Sequence, residues 1–472
     1  MPSRLPIDCL NKIFEYLEKD KATLHSCLLV NRLWCRVSVE ILWKNIWEFN
    51  NKNAPSLLNT LISCLPNESK VLLNDHGILT QKSSLFNYAS FCKVLSIDKI
   101  IEMIYYNINP FNEKNSTDSF QAEYLKTKEI LKMFMKQISS LKILTYSFIH
   151  VKIPNFINFF GAKDCLKNLS ELNCESEGHP KFFRQLSQIC HNIQSLSIVY
   201  TLITSNGLKD LISLQNGLKS LSIELDDYDK YCNNYNNCED FSTNIIPSLT
   251  KHSSTLTTLH LHGPLPLSFI IKLKNLKELV LSNFKNFKEI QHITFSHLQI
   301  LKLISKHSKI DMFNFLENNG TNLKELYVHN YSHDSSLNLA IAKFCPNLKS
   351  LHTKFMKDDM IVIFNSCQQL ESIEVLNDKT CSFKGEKVLE IVAKHSSKNF
   401  HELNLYNFEE LRSEDLESFF INWKNRVSQK SISLIVCNNT FVNNNKNRKI
   451  IRKYKNLGVI KKFEYQSTTL IY

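Results

Sequence analysis

Cys232 and Cys238, in the stretch YCNNYNNCED, are the closest pair of thiols in any loop of this chain, and two thiolates would make half of a tetrahedral zinc site. The other half is missing. A five-residue gap is not zinc-knuckle spacing, and no second Cys or His pair accompanies it, so no metal is expected and the segment is a polar loop with two cysteines. Nucleophilic and phosphate chemistry lack their motifs as well: there is no HExxH, no GxSxG, no paired CxxC and no glycine-rich phosphate loop among only nine glycines. Sixteen histidines and fourteen cysteines guarantee chance neighbours, so a lone His near an acid argues for nothing. No catalytic residue and no cofactor is expected. What remains for the polar side chains to do is recognition.

The elements that would position such side chains must come from a long chain. At 472 residues and 43% hydrophobic content, several domains or one extended repeat array are expected. The cysteines are sparse and irregularly spaced for that length, which suits reduced thiols better than a disulfide framework. No run approaches the roughly 18 apolar residues of a membrane span. The start MPSRLPIDCLNKIF has no apolar core before a cleavage site, so an intracellular protein of the cytoplasm, the nucleus or both is expected, with no membrane partner. The formal charge of +12 is spread along the chain except for NKNRKIIRKYKNLGVIKK, 445–462. There Ile450, Ile451, Tyr454 and Leu457 recur at helical spacing, which makes Arg448, Lys449, Arg452, Lys453 and Lys455 the solvated rim of a terminal cap. Nuclear localisation or nucleic-acid contact is the second reading of that segment, and nucleic acid is not expected among the partners.

An apolar-x-x-apolar-x-apolar pattern returns through two thirds of the chain. It starts at Leu141 (LKILTY), Leu169 (LSELNC), Ile193 (IQSLSI), Leu218 (LKSLSI), Leu256 (LTTLHL), Leu276 (LKELVL), Leu298 (LQILKL), Leu323 (LKELYV), Leu348 (LKSLHT), Leu370 (LESIEV) and Phe400 (FHELNL), with a weaker copy at Ser431 (SISLIV). Eleven steps from 141 to 431 give a period of about 26 residues. Each unit predicts a short strand with alternate side chains inward, then a turn and a helix that cannot bury its apolar face alone. FFRQLSQIC, LNLAIAKFC and MIVIFNSC show that helical part. Cys190, Cys345 and Cys367 each stand three residues before a repeat strand, where Ser253, Gly320 and Ser397 stand in other units. A small side chain fits a tight return onto the core, so these thiols are predicted to be structural.

The pattern resembles the cysteine-containing leucine-rich repeats over about 136–440, and implies an α/β solenoid of about eleven units with a parallel concave sheet and convex helices. It departs from the common form in placing Asn283, Asn330, Asn377 and Asn407 at the eighth residue of the unit instead of the ninth, which argues against a regular asparagine ladder. The long step from 218 to 256 holds the acidic, Asn-rich segment 226–244, predicted to be a solvated excursion, with a partner-specific loop as the second reading.

The first fifty residues are of another kind. In LPIDCLNKIFEYL, Cys9, Leu10, Ile13, Phe14 and Leu17 follow a helical rhythm, with Asp8 in the first turn; after the break EKDKAT, CLLVNRLW and ILWKNIW imply further short helices. The Leu-Pro start, the spacing to LVNRLW and the closing Trp43 resemble an F-box, and the pairing with repeats resembles the fungal F-box/leucine-rich-repeat family. The resemblance implies docking of this module on a Skp-type adaptor and, through it, a cullin, as the substrate-recognition subunit of an SCF-type ubiquitin ligase that does no catalysis itself. Carried over by position, it implies adaptor contacts at Leu5, Pro6, Leu10, Ile13, Leu17, Leu28 and Val30, while Phe14, Trp34 and Trp43 hold the module's own core. A protein-interaction scaffold that binds the adaptor outside a ligase is the alternative. The chain is thus divided into the F-box (1–47), a bridging region and N-terminal cap (48–135), the solenoid (136–440) and a basic C-terminal cap (441–472).

Strand alternation also predicts which side chains line the concave sheet: His260, His262, Lys302, Tyr327, His329, His352, Lys354 and Tyr406. Such a surface suits a target protein that is acidic or phosphorylated. A sheet face that is merely solvated is the competing expectation.

Overall fold

The computed structural model describes residues 6–47, 52–80, 82–105, 117–147, 153–176, 181–200, 206–225, 243, 245–305, 312–330, 335–355, 359–377, 384–408, 411–426, 430–437 and 445–466. Cys232, Cys238, Leu5 and most of the segment 226–244 lie outside them. Two compact units divide the chain, Met1–Lys251 and His252–Tyr472. Among the described residues, no helix is long and apolar enough to cross a membrane.

The first unit opens with three short helices, α1 (Ile7–Glu15), α2 (Lys21–Cys27) and α3 (Arg32–Leu42). Their starts are written in the sequence. Pro6 caps α1 with its φ already set, Asp20 accepts the amide of Thr23 to begin α2, and Asn31 accepts the amides of Leu33 and Trp34 to begin α3. Leu10, Phe14, Leu24, Cys27, Val37 and Ile41 form the core of the three, with Leu17, Trp34 and Leu42 packed against it. Four more helices come next: α4 (Ala54–Ser63), α5 (Asn67–Asp75), α6 (Ile97–Tyr105) and α7 (Thr117–Gln137).

Strands β1 (Val94–Ser96), β2 (Ile143–Tyr146), β3 (Glu171–Glu175), β4 (Ser195–Tyr200) and β5 (Ser220–Leu225) then pair in order, all parallel. In the second unit nine strands do the same: β6 (Thr258–His262), β7 (Glu278–Ser282), β8 (Ile300–Ser305), β9 (Glu325–Asn330), β10 (Ser350–Lys354), β11 (Ser372–Leu376), β12 (Glu402–Tyr406), β13 (Ile432–Cys437) and β14 (Ile460–Gln466). The apolar alternation of the sequence becomes register. Leu144, Leu172, Leu196 and Leu221 are partners across the strands of the first unit, and Leu259, Leu279, Leu301, Leu326, Leu351, Ile373, Leu403 and Leu434 across those of the second. None is more than 1% exposed, and burying each is worth about 1.5–3 kcal/mol. Within each unit the strands are therefore held by a column of side chains, one per repeat.

Backbone geometry repeats with the same step. The residue before most strands turns its carbonyl to the next unit and accepts two consecutive amides: Lys142 O takes those of Ser170 and Glu171, Thr257 O those of Lys277 and Glu278, and Lys324 O those of Lys349 and Ser350. Lys44, just past α3, does this too, accepting the amides of Lys93 and Val94 at 2.9 and 3.2 Å. The end of the three-helix module is thereby the rung that precedes β1. Trp47 completes the join by donating its Nε1 to Val94 O at 2.7 Å.

The helices on the other side vary from unit to unit. Phe182–Ser187, Ser336–Phe344 and Asp359–Ser366 are helices where the sequence predicts them. The steps after Leu256 and Leu276 carry short 3-10 segments instead, Ser268–Lys272 and Phe287–Glu289. The cysteines fill the tight returns as expected: Cys190 Sγ donates to Leu166 O, Cys367 Sγ to Cys345 O, and Ser397 Oγ in the same phase to Leu370 O. Gly320 has no alternative at its return, because a Cβ there would meet Phe344 O at 2.6 Å. The eighth-position asparagines end strands: Asn283 and Asn407 turn the chain with φ of 52° and 57°, which Asn tolerates, and Asn283, Asn377 and Asn407 each donate their amide to the next strand.

Candidate functional site

Two surfaces offer side chains to a partner. On the three-helix module, burial divides the apolar residues cleanly. Leu10 is 4% exposed and sits in the module's own core, so it presents no face to an adaptor, contrary to the sequence-based expectation. Leu17 packs partly on that core, and Leu28 is half-buried. Pro6, Ile13 and Val30 are exposed, Ile13 by 51% and Val30 by 56%. Around them stand exposed residues that position-by-position carry-over missed: Ile7, Tyr16, Leu29 (89%) and Leu33. Exposed large side chains in such number on a module this small offer surface that a partner would cover. Phe14 and Trp34 do hold the core, meeting edge to face at 5.2 Å. Trp43 does not: it stacks at 4.4 Å on Tyr88, beyond α5.

On the second unit's sheet, register gathers the candidates into two rows. The middle row runs His260, Val280, Lys302, Tyr327, His352, Glu374, Asn404 across β6 to β12. The row beyond it holds His262 and His329, then Lys354, Leu376, Tyr406 and Cys437. The rings of Tyr327 and His352 stack at 3.7 Å and 7°, His329 lies 6.2 Å from His352, and Tyr406 approaches His352 edge-on at 6.5 Å. His329 and His352 are only 6% and 4% exposed, so they build the floor of this face and cannot reach far into a target. His260, His262, Lys302, Tyr327, Lys354 and Tyr406 are half-buried and reach its surface.

Glu374 changes the electrostatics. Its Oε2 lies 3.1 Å from His352 Nδ1, an ion-pair approach without the alignment of a full hydrogen bond. Burial pushes this carboxyl up, but His352, the Tyr406 hydroxyl and Lys302 together hold it below the usual range, so it is ionised at neutral pH. Tyr406 responds in kind: burial first, then the Glu374 carboxylate, push its hydroxyl far above the ordinary value. His260 also has a carboxylate, with Glu278 at 3.2 Å, and His262 Nε2 faces Asn283 Nδ2 at 3.1 Å. The face is therefore not uniformly cationic. Its charges are mostly balanced internally, which weakens the case for a phosphorylated target and favours one that meets aromatic rings and mixed charge. The corresponding middle row of the first unit is small and neutral: Ser96, Thr145, Asn173, Ser197 and Ser222.

Residues 2–48 match the F-box-like family, and beyond them runs a succession of strand-and-helix units, each setting a buried aliphatic side chain at the same strand position. The chain joins an F-box-like module to a run of leucine-rich-repeat units. No curated protein sequence matches it. Among solved structures, it is similar to an internalin from Listeria monocytogenes (12% identity, 72% of this chain and 89% of that one, TM-score 0.34). It is also similar to a leucine-rich-repeat protein of Leptospira interrogans (17% identity, 71% and 91%, TM-score 0.34) and to the complex of Rad7 and Elc1 in yeast (14% identity, 92% and 87%, TM-score 0.39).

In the repeat units the cysteines that could have suggested chemistry are inert by environment. Burial raises the thiol of Cys190 to about 12 and that of Cys367 to about 11, so neither is a thiolate at neutral pH. Among the described residues no group of three or more His, Cys, Asp or Glu could hold a metal ion. Glu374 was within reach of the sequence. In LESIEV it occupies the same frame position as His352 in LKSLHT and Tyr327 in LKELYV, so the repeat alone sets it beside them.

Proposed function

We propose that this protein recruits a target to an SCF-type cullin-RING ubiquitin ligase: the F-box-like module docks on a Skp-type adaptor, and the sheet of the second unit holds the target. The observation that carries the proposal is the coincidence of the F-box-like match at 2–48 with an exposed apolar set, Ile7, Ile13, Leu29, Val30 and Leu33, on that same module. The chain then acts by proximity. Holding a target lysine beside a charged ubiquitin carrier turns a rare bimolecular encounter into a nearly intramolecular one, and the protein itself needs no reactive group. Such a role implies work in the cytoplasm, the nucleus or both. Lys44 and Trp47 support it mechanically, because they tie the module to the first repeat strand through backbone and indole hydrogen bonds.

The test is co-expression with a Skp-type adaptor and a cullin, with pull-down on this chain. The native protein is expected to retain both, and an Ile13→Asp/Val30→Asp double variant neither, with the circular dichroism of the two proteins identical. Retention of adaptor without cullin would favour the scaffold alternative. Failure of the native protein to retain adaptor would refute the docking role.

A further inference from the structure

The helix Asn445–Asn456 closes the second unit, and six of its twelve residues are Lys or Arg while none is acidic. Its packing needs only the other side. Asn447, Ile451 and Tyr454 are buried; Asn447 Nδ2 donates to Leu411 O and its Oδ1 accepts from Ser413 Oγ, and Tyr454 lies 5.1 Å from Phe420. Leu457, which sequence periodicity assigned to the cap's apolar face, is 51% exposed beyond the helix end. At 100° per residue the cations spread over the half of the helix turned from that packing, and every fully exposed position is Lys, Arg or Asn.

Lys453 reaches Glu417 at 2.6 Å, but Arg448, Lys449, Arg452 and Lys455 have no carboxylate partner among the described residues. Capping does not explain them. Uncharged polar side chains at these four positions would leave the buried face as it is, and like charges at i, i+3 and i, i+4, as at 448/452, 449/452 and 452/455, weaken a helix. Their use must therefore lie outside the fold, with a polyanion. An anionic membrane is a poor fit, because surface-binding helices set large apolar residues beside their cations and this exposed half has none. Single-stranded nucleic acid calls for aromatic platforms, and the helix's one aromatic, Tyr454, is 3% exposed. A-form RNA offers a deep, narrow major groove, whereas the roughly 12 Å groove of B-form DNA admits a helix face.

We propose that the exposed half of Asn445–Asn456 is a sequence-independent docking surface for duplex DNA, with Arg448, Lys449, Arg452 and Lys455 on the phosphates. The proposal is independent of the ligase role. The experiment is fluorescence anisotropy of a mixed-sequence DNA duplex of about 20 base pairs titrated with the full chain between 50 and 200 mM salt. Four neutralised phosphates give a slope of log K on log salt of about −3.6, which is a weakening of about 150-fold over that range. Arg448→Gln/Arg452→Gln, with unchanged circular dichroism, should halve the slope to about −1.8, a weakening of about 12-fold. An unchanged slope in that variant overturns the assignment. So does equal or tighter binding to poly-glutamate, to single strands, to an RNA duplex or to phosphatidylserine vesicles.

Discussion

Leu10 and Ile13 stand one turn apart on α1, and replacing them one at a time separates the module's core from its docking face. Leu10→Ala in the full chain removes a side chain that is 4% exposed among Phe14, Leu24 and Val37, and should destabilise the module by about 3–5 kcal/mol, transfer and cavity effects together. For three helices of this size that is most of their stability. The Trp34 emission, which reports the 5.2 Å contact with Phe14, should then shift toward that of an exposed indole. Ile13→Asp should leave that emission unchanged, because its side chain is already 51% exposed. Its effect appears on docking: about half of the roughly 1.5–3 kcal/mol available from burying an isoleucine is forfeited, and desolvating the carboxylate costs about 1–3 kcal/mol more. The sum, about 2–4.5 kcal/mol, corresponds to a loss of affinity for the adaptor of about 30- to 2,000-fold, measured by titration calorimetry. Two results would refute this division: adaptor affinity within about threefold of native for Ile13→Asp, or lost affinity with native Trp34 emission for Leu10→Ala.

Gly320→Ala should cost about 1–3 kcal/mol in urea unfolding, since its Cβ must displace Phe344 O; a cost below about 0.5 kcal/mol would mean that the return is loose. Glu374→Gln should destabilise the second unit at pH 7 by about 1.5–3 kcal/mol, the worth of hydrogen bonds to a charged group. Glu374 is depressed in the folded state, so its contribution is present above the unfolded value of about 4.3 and is lost as pH falls through the folded one. The gap between variant and native should therefore close in acid, and a gap that persists at pH 2 would contradict the role of the carboxylate. Under native conditions iodoacetamide should label exposed Cys9 and spare Cys190 and Cys367, which mass spectrometry would resolve; labelling of Cys190 before unfolding would show that its return opens. Trp47→Phe removes the donor to Val94 O and should cost about 1–2 kcal/mol, lowering the thermal midpoint of the first unit.

What could be read without coordinates was whatever repeats or caps locally. Leucine spacing gave the strands because alternation needs no knowledge of neighbours, and Asp20 and Asn31 announce helices from within a turn. Leu10 and Ile13 could not be sorted this way. Both belong to one apolar stripe, and only the packing of α3 against α1, through Val37 and Ile41, decides which of them turns inward. The same limit applies to Trp43, whose partner Tyr88 lies 45 residues away in sequence. α7 escaped notice because its apolar residues come after the polar run NEKNSTDSF, in which the helix begins. Charge on the second sheet was legible in principle and missed in practice: selecting His, Lys and Tyr by type left out Glu374, although its frame position equals theirs. On the proposed role, the same register would govern how a target is met. In a parallel stack each middle-row residue touches the one a unit before and the one a unit after, so the chemistry of the face belongs to the row and to no single residue. Tyr327, His352 and Glu374 of the middle row, with Tyr406 beside them, therefore form one group around an ionised carboxylate, and a target that binds there would offer a cation to it or apolar surface to the rings. A single phosphate would meet an ionised carboxylate at the centre of the row.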